Sequence, residues 1–298
     1  WAMREMESRM GKFLTDDLRD PETSADEKVA KAALLTEGLA HPYQSEHTTD
    51  LVFTMSDDVK QGIACGLAPI DKESQAHGLY PDAPNYIAGR TGSGKTNALV
   101  QFTLCALRQS RSAVFVSLEL PAEKVVRRFM RQMCGYSALS FARENNDEES
   151  WKRAAYEFSG FDLRIWDSRS GDLTVEGVCE RVRAACLKRP KDLVTVDYMQ
   201  LMASRTAKRH NGSKTPVMEE AESVIRETNL RLGNVWLVGS QLSLSEGQLY
   251  TANSQEMEKG AALVAYLMQE EGDWLKLFIK KNRDGRSFVE SRLRRDPR

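Results

Sequence analysis

Apolar positions along this chain follow more than one rhythm. Near the start, Trp1, Met6, Met10, Phe13 and Leu14 recur at spacings near 3.6 with charges between them, which predicts an amphipathic helix. A second helix is predicted to open at Ser24, where Glu27 has the spacing of a capping box. It runs through Val29, Ala32, Ala33 and Leu35 and stops at Gly38. The stretch from His41 to Asp58 is polar, contains Pro42, and reads as a linker. Two short amphipathic helices bury little alone. Their stripes therefore call for a partner surface, either their own domain or a neighbouring subunit.

From Gln61 the rhythm changes to short apolar runs separated by helical stretches. The predicted strands are Asn85–Ala88, Ala113–Ser117, Leu163–Trp166, Leu193–Val196, Val235–Gly239 and Leu263–Met268. The predicted helices between them are Thr96–Gln109, Ala122–Cys134, Val175–Lys188 and Val217–Leu232. This alternation implies an α/β fold, a mostly parallel sheet with helices on both faces. The end differs, because Trp274–Lys281 and Ser287–Leu293 flank Asn282-Arg-Asp-Gly-Arg286 as a hairpin would. Residues 1–60 thus read as a helical arm and residues 61–298 as one larger domain.

Composition narrows the class. At 298 residues, 41% hydrophobic and 29% charged, the chain suits a soluble globular protein rather than a disordered one. Its longest apolar run, Ala261 to Met268, is too short to cross a bilayer, and Trp1-Ala-Met-Arg-Glu is no signal peptide. The expected setting is therefore not secretory, with no membrane partner. The five cysteines form no CxxC pair and the four histidines give no ligand spacing, which argues against zinc and disulfides. Because the chain does not begin with Met, it reads as a piece of a longer polypeptide.

The net charge of −1 hides an asymmetry: residues 1–60 hold 7 basic and 13 acidic side chains, the remainder 35 and 30. The last 22 residues hold 8 basic and 3 acidic, a density that fits either a solvated surface or a phosphate backbone.

The chemistry begins at Gly89-Arg90-Thr91-Gly92-Ser93-Gly94-Lys95-Thr96, which fits GxxxxGK[ST] between a predicted strand and a predicted helix. Glycines let backbone N–H groups curl around phosphate oxygens, and the helix N-terminus adds its positive end. Lys95 reaches the β- and γ-phosphates, and the Thr96 hydroxyl ligates Mg²⁺. Val194-Thr-Val-Asp197 is an apolar strand ending in a carboxylate, suited to a second Mg²⁺-associated position. Glu119 follows another strand and faces the same crevice, where a carboxylate deprotonates an attacking water; the plain alternative is a helix-start Glu.

Gln241 closes the strand at Gly239-Ser240, where an amide senses a γ-phosphate or is merely a strand-end residue. Lys281 and Arg283 sit at the tip of the last hairpin. Two alternating cations there neutralise a transferred phosphoryl group in cis or across a subunit boundary, or else simply meet solvent. Between Asp197's strand and the helix from Val217, Ala203–Pro216 reads as a loop with Arg205, Lys208, Arg209 and Lys214 and no acid. Lacking an aromatic, it suits contact with a phosphate backbone that tracks the nucleotide state rather than with bases. Gln248–Lys259 would form a second such loop.

Taken together these motifs resemble the RecA-like motor domain of the DnaB family of replicative helicases. The resemblance runs through Gly66-Leu-Ala-Pro-Ile-Asp71, Gly78-Leu, Ala88-Gly-Arg90, the phosphate loop, and Ser117-Leu-Glu-Leu-Pro121 with Arg128. It continues through Asp197-Tyr-Met-Gln-Leu-Met202 and Ser240-Gln-Leu242 and ends at Lys281-Asn-Arg-Asp-Gly285. It implies a RecA-like P-loop NTPase that uses ATP and Mg²⁺ to translocate on single-stranded DNA and unwind duplex during replication. Glu119 is implied as catalytic base, Asp197 as metal-associated carboxylate and Gln241 as the γ-phosphate sensor coupled to DNA. Lys281 and Arg283 are implied as a lysine and an arginine finger acting in trans. That arrangement implies a homo-oligomeric ring, typically of six, with primase and a helicase loader as further partners. The family's run after Ser-Gln-Leu is replaced here by Ala252-Asn-Ser-Gln255, an expected Arg by Leu244, and only 60 residues precede the motor. Alternatives on the same fold are a recombinase or regulatory ATPase, and an ATP-binding ring scaffold with weak DNA coupling.

Overall fold

In the computed structural model, the apolar runs of the larger domain lie side by side in one sheet. The structure describes residues 61–135, 148–209, 214–245, 248–251 and 258–294; the predicted helical arm and linker before Gln61 lie outside them. After a short helix α1 (Ala68–Glu73), the chain runs β1 (Asn85–Gly89), α2 (Lys95–Arg108), β2 (Ala113–Ser117) and α3 (Ala122–Cys134). It continues α4 (Glu148–Ser159), β3 (Leu163–Trp166), α5 (Val175–Lys188), β4 (Leu193–Asp197), α6 (Met199–Arg209) and α7 (Lys214–Leu232). It closes with β5 (Val235–Ser245), β6 (Gln248–Thr251), β7 (Leu263–Gln269), β8 (Trp274–Asn282) and β9 (Val289–Arg294).

The strand order is β3-β2-β4-β5-β1-β7-β8-β9, with β6 paired to β5 off this path. Strands β3 to β7 of that order are parallel to one another, and β8 and β9 add on in antiparallel sense. Period-2 alternation splits each central strand between two cores. Ile87, Phe115, Leu193 and Leu237 pack with Leu99 and Phe102 of α2 and Val125 and Phe129 of α3. Tyr86, Val116, Val194 and Trp236 pack with Val178 of α5, Met202 of α6 and Ile225 of α7. Both faces being covered, the central strands carry mostly apolar residues, which is why they stand out in the sequence.

Three expectations are corrected. The loop expected over Ala203–Pro216 is helical through Arg209 in α6 and again from Lys214 in α7. Met199, Met202, Ala203 and Thr206 recur at helical spacing and are all buried, so burial of one face overrides the polar composition. Thr206 also ties α6 to α5, because its Oγ1 accepts from the Val175 N–H at 3.0 Å while donating to the Met202 carbonyl. Second, the strand expected to end at Gly239 continues through Ser245, so Gln241 lies within β5 rather than at its close. Third, the start of the expected Gln248–Lys259 loop is strand β6, antiparallel to β5 from Leu242↔Thr251 to Ser245↔Gln248.

Candidate nucleotide-hydrolysis site

The order β2-β4-β5-β1 sets four candidate residues along one edge of the sheet. Ser117 pairs with Asp197 across β2 and β4, and Gly89 pairs with Gln241 across β1 and β5. Ligands bind parallel sheets at this carboxyl edge, where chain direction puts loops and helix N-termini together. The Gly89–Thr96 loop leaves β1 there and becomes the first turn of α2. Gly94 is the N-cap, with φ at 89° in the left-handed region that a side chain disfavours. At Gly89 a Cβ would fall 2.3 Å from Ser93 Oγ and 3.0 Å from the Leu267 carbonyl oxygen, so a side chain there would force the loop to shift.

Inside this turn Lys95 is buried and its Nζ lies 4.3 Å from the centre of the Tyr198 ring. Burial pulls the Lys95 pKa down, and the Asp197 and Glu119 carboxylates oppose that pull. Asp197 is fully buried at the end of β4, and desolvation raises its pKa against the Thr96 hydrogen bond and the Lys95 charge. Thr96 Oγ1 donates to Asp197 Oδ2 at 2.9 Å. Asp197 Oδ1 and Ser93 Oγ are buried without hydrogen-bond partners. Buried polar atoms normally find partners. A hydroxyl, a carboxylate with an unused oxygen, and a lysine beneath a glycine loop make a donor set that fits a Mg²⁺-bound phosphate chain.

Glu119 reaches this edge by a braced turn. The Leu118 N–H donates to the Asp197 carbonyl at 2.9 Å, extending the β2–β4 ladder by one bond. Ser117 Oγ then donates to the Leu120 carbonyl at 2.7 Å and accepts from the Leu120 N–H at 3.2 Å, closing the turn around Glu119. The Glu119 side chain is exposed, and its charge acts on Lys95, Asp197 and Tyr198. On α3, Arg128 Nη1 donates to Asn97 Oδ1 at 2.5 Å, docking that helix on the first turn of α2. Asp167 supports the start of α3, accepting from the Ala122 N–H at 2.9 Å. Gln241 Nε2 donates to Thr91 Oγ1 at 2.9 Å, so the expected sensor touches the phosphate loop itself.

Lys281 and Arg283 are elsewhere. Lys281 pairs with Val264, and the adjacent Asn282 pairs with Leu263, which pairs with Asn85 at the start of β1. Gly89 is four residues further along β1, roughly 13 Å at about 3.3 Å per residue. The two cations therefore lie toward the opposite edge of the sheet from the phosphate loop of their own chain. Lys281 Nζ donates to the carbonyls of Glu258 and Lys259, and Arg283 pairs with Asp82 at 3.0 Å. Burial and the Arg283 charge both lower the Lys281 pKa.

Of the expected DNA contacts, Arg205 is half-buried on α6, Lys208 and Arg209 end that helix, and Lys214 opens α7. Two working residues escaped the sequence reading. Gln200 bonds the backbone of Gln241, and buried Asn282 braces the β8–β9 turn through Tyr80, Glu73 and Arg286. Both sit inside the runs that carry the family resemblance, which was the available signal.

A family model described as the DnaB-like helicase C-terminal domain matches residues 62–289. The chain belongs to that family. Membership makes this DnaB-like domain an ATP-hydrolysing DNA helicase motor of the replicative kind. Its fold is that of solved RecA-like motors. A solved ATPase domain matches with a TM-score of 0.68 and 21% identity, over 83% of this chain and 92% of the other. The structure described as a DnaB-like replicative helicase and its interactions with primase matches with a TM-score of 0.70 and 20% identity, over 98% of this chain and 73% of the other. No curated protein matches the chain. Among the described residues, no helix of this DnaB-like domain is long and apolar enough to cross a membrane.

Proposed function

We propose that this DnaB-like domain, taken as residues 61–298 with residues 1–60 as a helical arm, hydrolyses ATP at sites split between two copies of itself. One copy contributes Gly89 to Thr96, whose N–H groups and Lys95 cradle the phosphates, together with Glu119, Asp197 and Gln241. Thr96 and Asp197 hold Mg²⁺, which supplies charge neutralisation on the phosphates when bound. Glu119 orients the attacking water and takes its proton. Gln241 senses the γ-phosphate from its position against Thr91. The neighbouring copy contributes Lys281 and Arg283, which offset the negative charge developing on the phosphoryl oxygens.

The observation that carries this reading is the separation of the two sets of residues. Lys95, Glu119, Asp197 and Gln241 share one edge, while Lys281 and Arg283 lie toward the other. A chain built this way needs a second copy to complete a site, and repetition of that contact closes a ring, of six in our reading. Arg205, Lys208, Arg209 and Lys214 hold the phosphate backbone of single-stranded DNA, and hydrolysis shifts α6 and α7 along it. Primase and a loader are the protein partners in this reading, in a bacterial, phage-infected or organellar interior. A solved relative described by its interactions with primase supports the first.

The test is the ATPase rate with and without single-stranded DNA, at protein concentrations where sedimentation reports the assembly. Strong stimulation in a ring-sized species is the expected result. A rate indifferent to DNA with assembly intact would favour the scaffold alternative, and strand exchange by a filament would favour the recombinase.

A further inference from the structure

Past Val238, β5 loses its neighbour on one side. The β4–β5 ladder runs from Leu193↔Val235 to Val196↔Val238, and β4 then gives way to α6. On the other side β1 still accompanies β5 as far as Gly89↔Gln241. Gln241, the residue whose side chain touches the phosphate loop, therefore sits where a strand backbone has half its ladder missing. An unpaired backbone group in a half-buried position costs free energy and lets the strand shift at that point.

The side chain of Gln200, in the first turn of α6, fills that place. Its Oε1 accepts from the Gln241 N–H at 3.0 Å. Its Nε2 donates to Ser240 Oγ at 2.8 Å and approaches the Gln241 carbonyl at 3.4 Å. A carboxamide carries the same donor and acceptor as a peptide group. Gln200 thus engages the backbone of Gln241 much as the next residue of β4 would have done. The same side chain is rooted three residues after Asp197 and on the helix that carries Arg205, Lys208 and Arg209.

We infer that Gln200 is a positioning residue that links the sensor to the basic helix. It fixes where Gln241 meets Thr91, and it converts any shift of β5 at Gln241 into a shift of the first turn of α6. Thr206, bonded both to α5 and within α6, sets the far anchor against which such a shift is felt. The inference rests on the reading of Gln241 as a γ-phosphate sensor, and it adds the element by which that sensor reaches DNA.

The test compares Gln200→Met, Gln200→Glu and Gln241→Ala in the assembled protein. Met keeps the length and removes every hydrogen bond. Glu keeps the acceptor for the Gln241 N–H and loses the donor. For Gln200→Met we expect DNA-stimulated kcat to fall by about tenfold or more while KM for ATP stays within about twofold, the pattern of a group that acts only beyond substrate binding. Hydrogen exchange at the Gln241 amide should accelerate, the thermal midpoint should fall by only a few degrees, as expected for one orphaned N–H, and Gln200→Glu should recover part of the rate. If Gln200→Met matches the parent while Gln241→Ala is impaired, the link is overturned and the sensor stands. If both match the parent, the sensor reading and this inference both fall.

Discussion

Thr96 Oγ1 and Asp197 Oδ2 are 2.9 Å apart, and this bond engages one oxygen of a fully buried carboxylate while Oδ1 stays unpaired. The pair joins the phosphate loop to the end of β4 and sets the two groups that would share Mg²⁺. Asp197→Asn keeps an acceptor for Thr96 and removes the charge. We expect nucleotide affinity to lose most of its dependence on Mg²⁺ and turnover to collapse. Nucleotide titrations in Mg²⁺ and in EDTA check this; an unchanged difference between the two would contradict the assignment.

Glu119 is held at the edge by Ser117 and the Asp197 carbonyl rather than by any contact of its own carboxylate with Lys95. Glu119→Gln preserves the turn. It should leave nucleotide affinity close to that of the parent while lowering kcat by about 10²–10⁴-fold, the range for loss of a general base. Normal hydrolysis by Glu119→Gln would remove it from that role.

The basic residues of α6 and α7 make a separable prediction. Changing Arg205, Lys208, Arg209 and Lys214 together to Ala should weaken single-stranded DNA binding and flatten its salt dependence. The slope of log K against log salt should fall by about 0.7 for each phosphate that the variant no longer neutralises. Equal affinity and slope would mean that these cations only meet solvent.

Asp167 gives the fold a specific acid sensitivity. Its carboxylate is buried, accepts from the Ala122 N–H and from the Arg169 guanidinium, and is held well below the usual carboxylate range by those bonds. A depressed pKa contributes stability above the unfolded-state value that is lost as pH falls toward the folded one. Asp167→Ala should therefore cost about 1–2 kcal/mol at neutral pH, the scale of a lost helix cap. The difference between variant and parent should narrow below about pH 3.9, the ordinary Asp value. Denaturant titrations at several pH values check the sign, and a gap that widens in acid would refute it.

What the sequence revealed, and what it concealed, has a physical basis. Strands β1, β2 and β4 were readable because every residue in them is buried, and α5 because its buried residues Val175, Val178, Cys179, Val182 and Ala185 recur at helical spacing. Helix α6 was hidden by its charges, although Met199, Met202, Ala203 and Thr206 carried the helical spacing. The phosphate loop was readable because its glycines answer to local geometry. Gln200 and Asn282 act through partners 41 and 202 residues away, and such long-range polar bonds leave no periodic trace. The position of Arg283 followed only from strand register. The sequence left action in cis or in trans open, and the pairing of Asn282 with Leu263 sets the hairpin opposite the start of β1.

In the proposed reading each hydrolysis site is divided between copies of the chain. Glu119→Gln and Arg283→Ala disable different halves, and each protein alone should be nearly inactive. Mixed in equal amounts under conditions that allow subunits to exchange, the intact Glu119 of one variant meets the intact Arg283 of the other at some of the boundaries. ATPase activity should return on mixing, in proportion to those boundaries. Mixed assemblies, verified by sedimentation, that remain as inactive as the separate variants would contradict it.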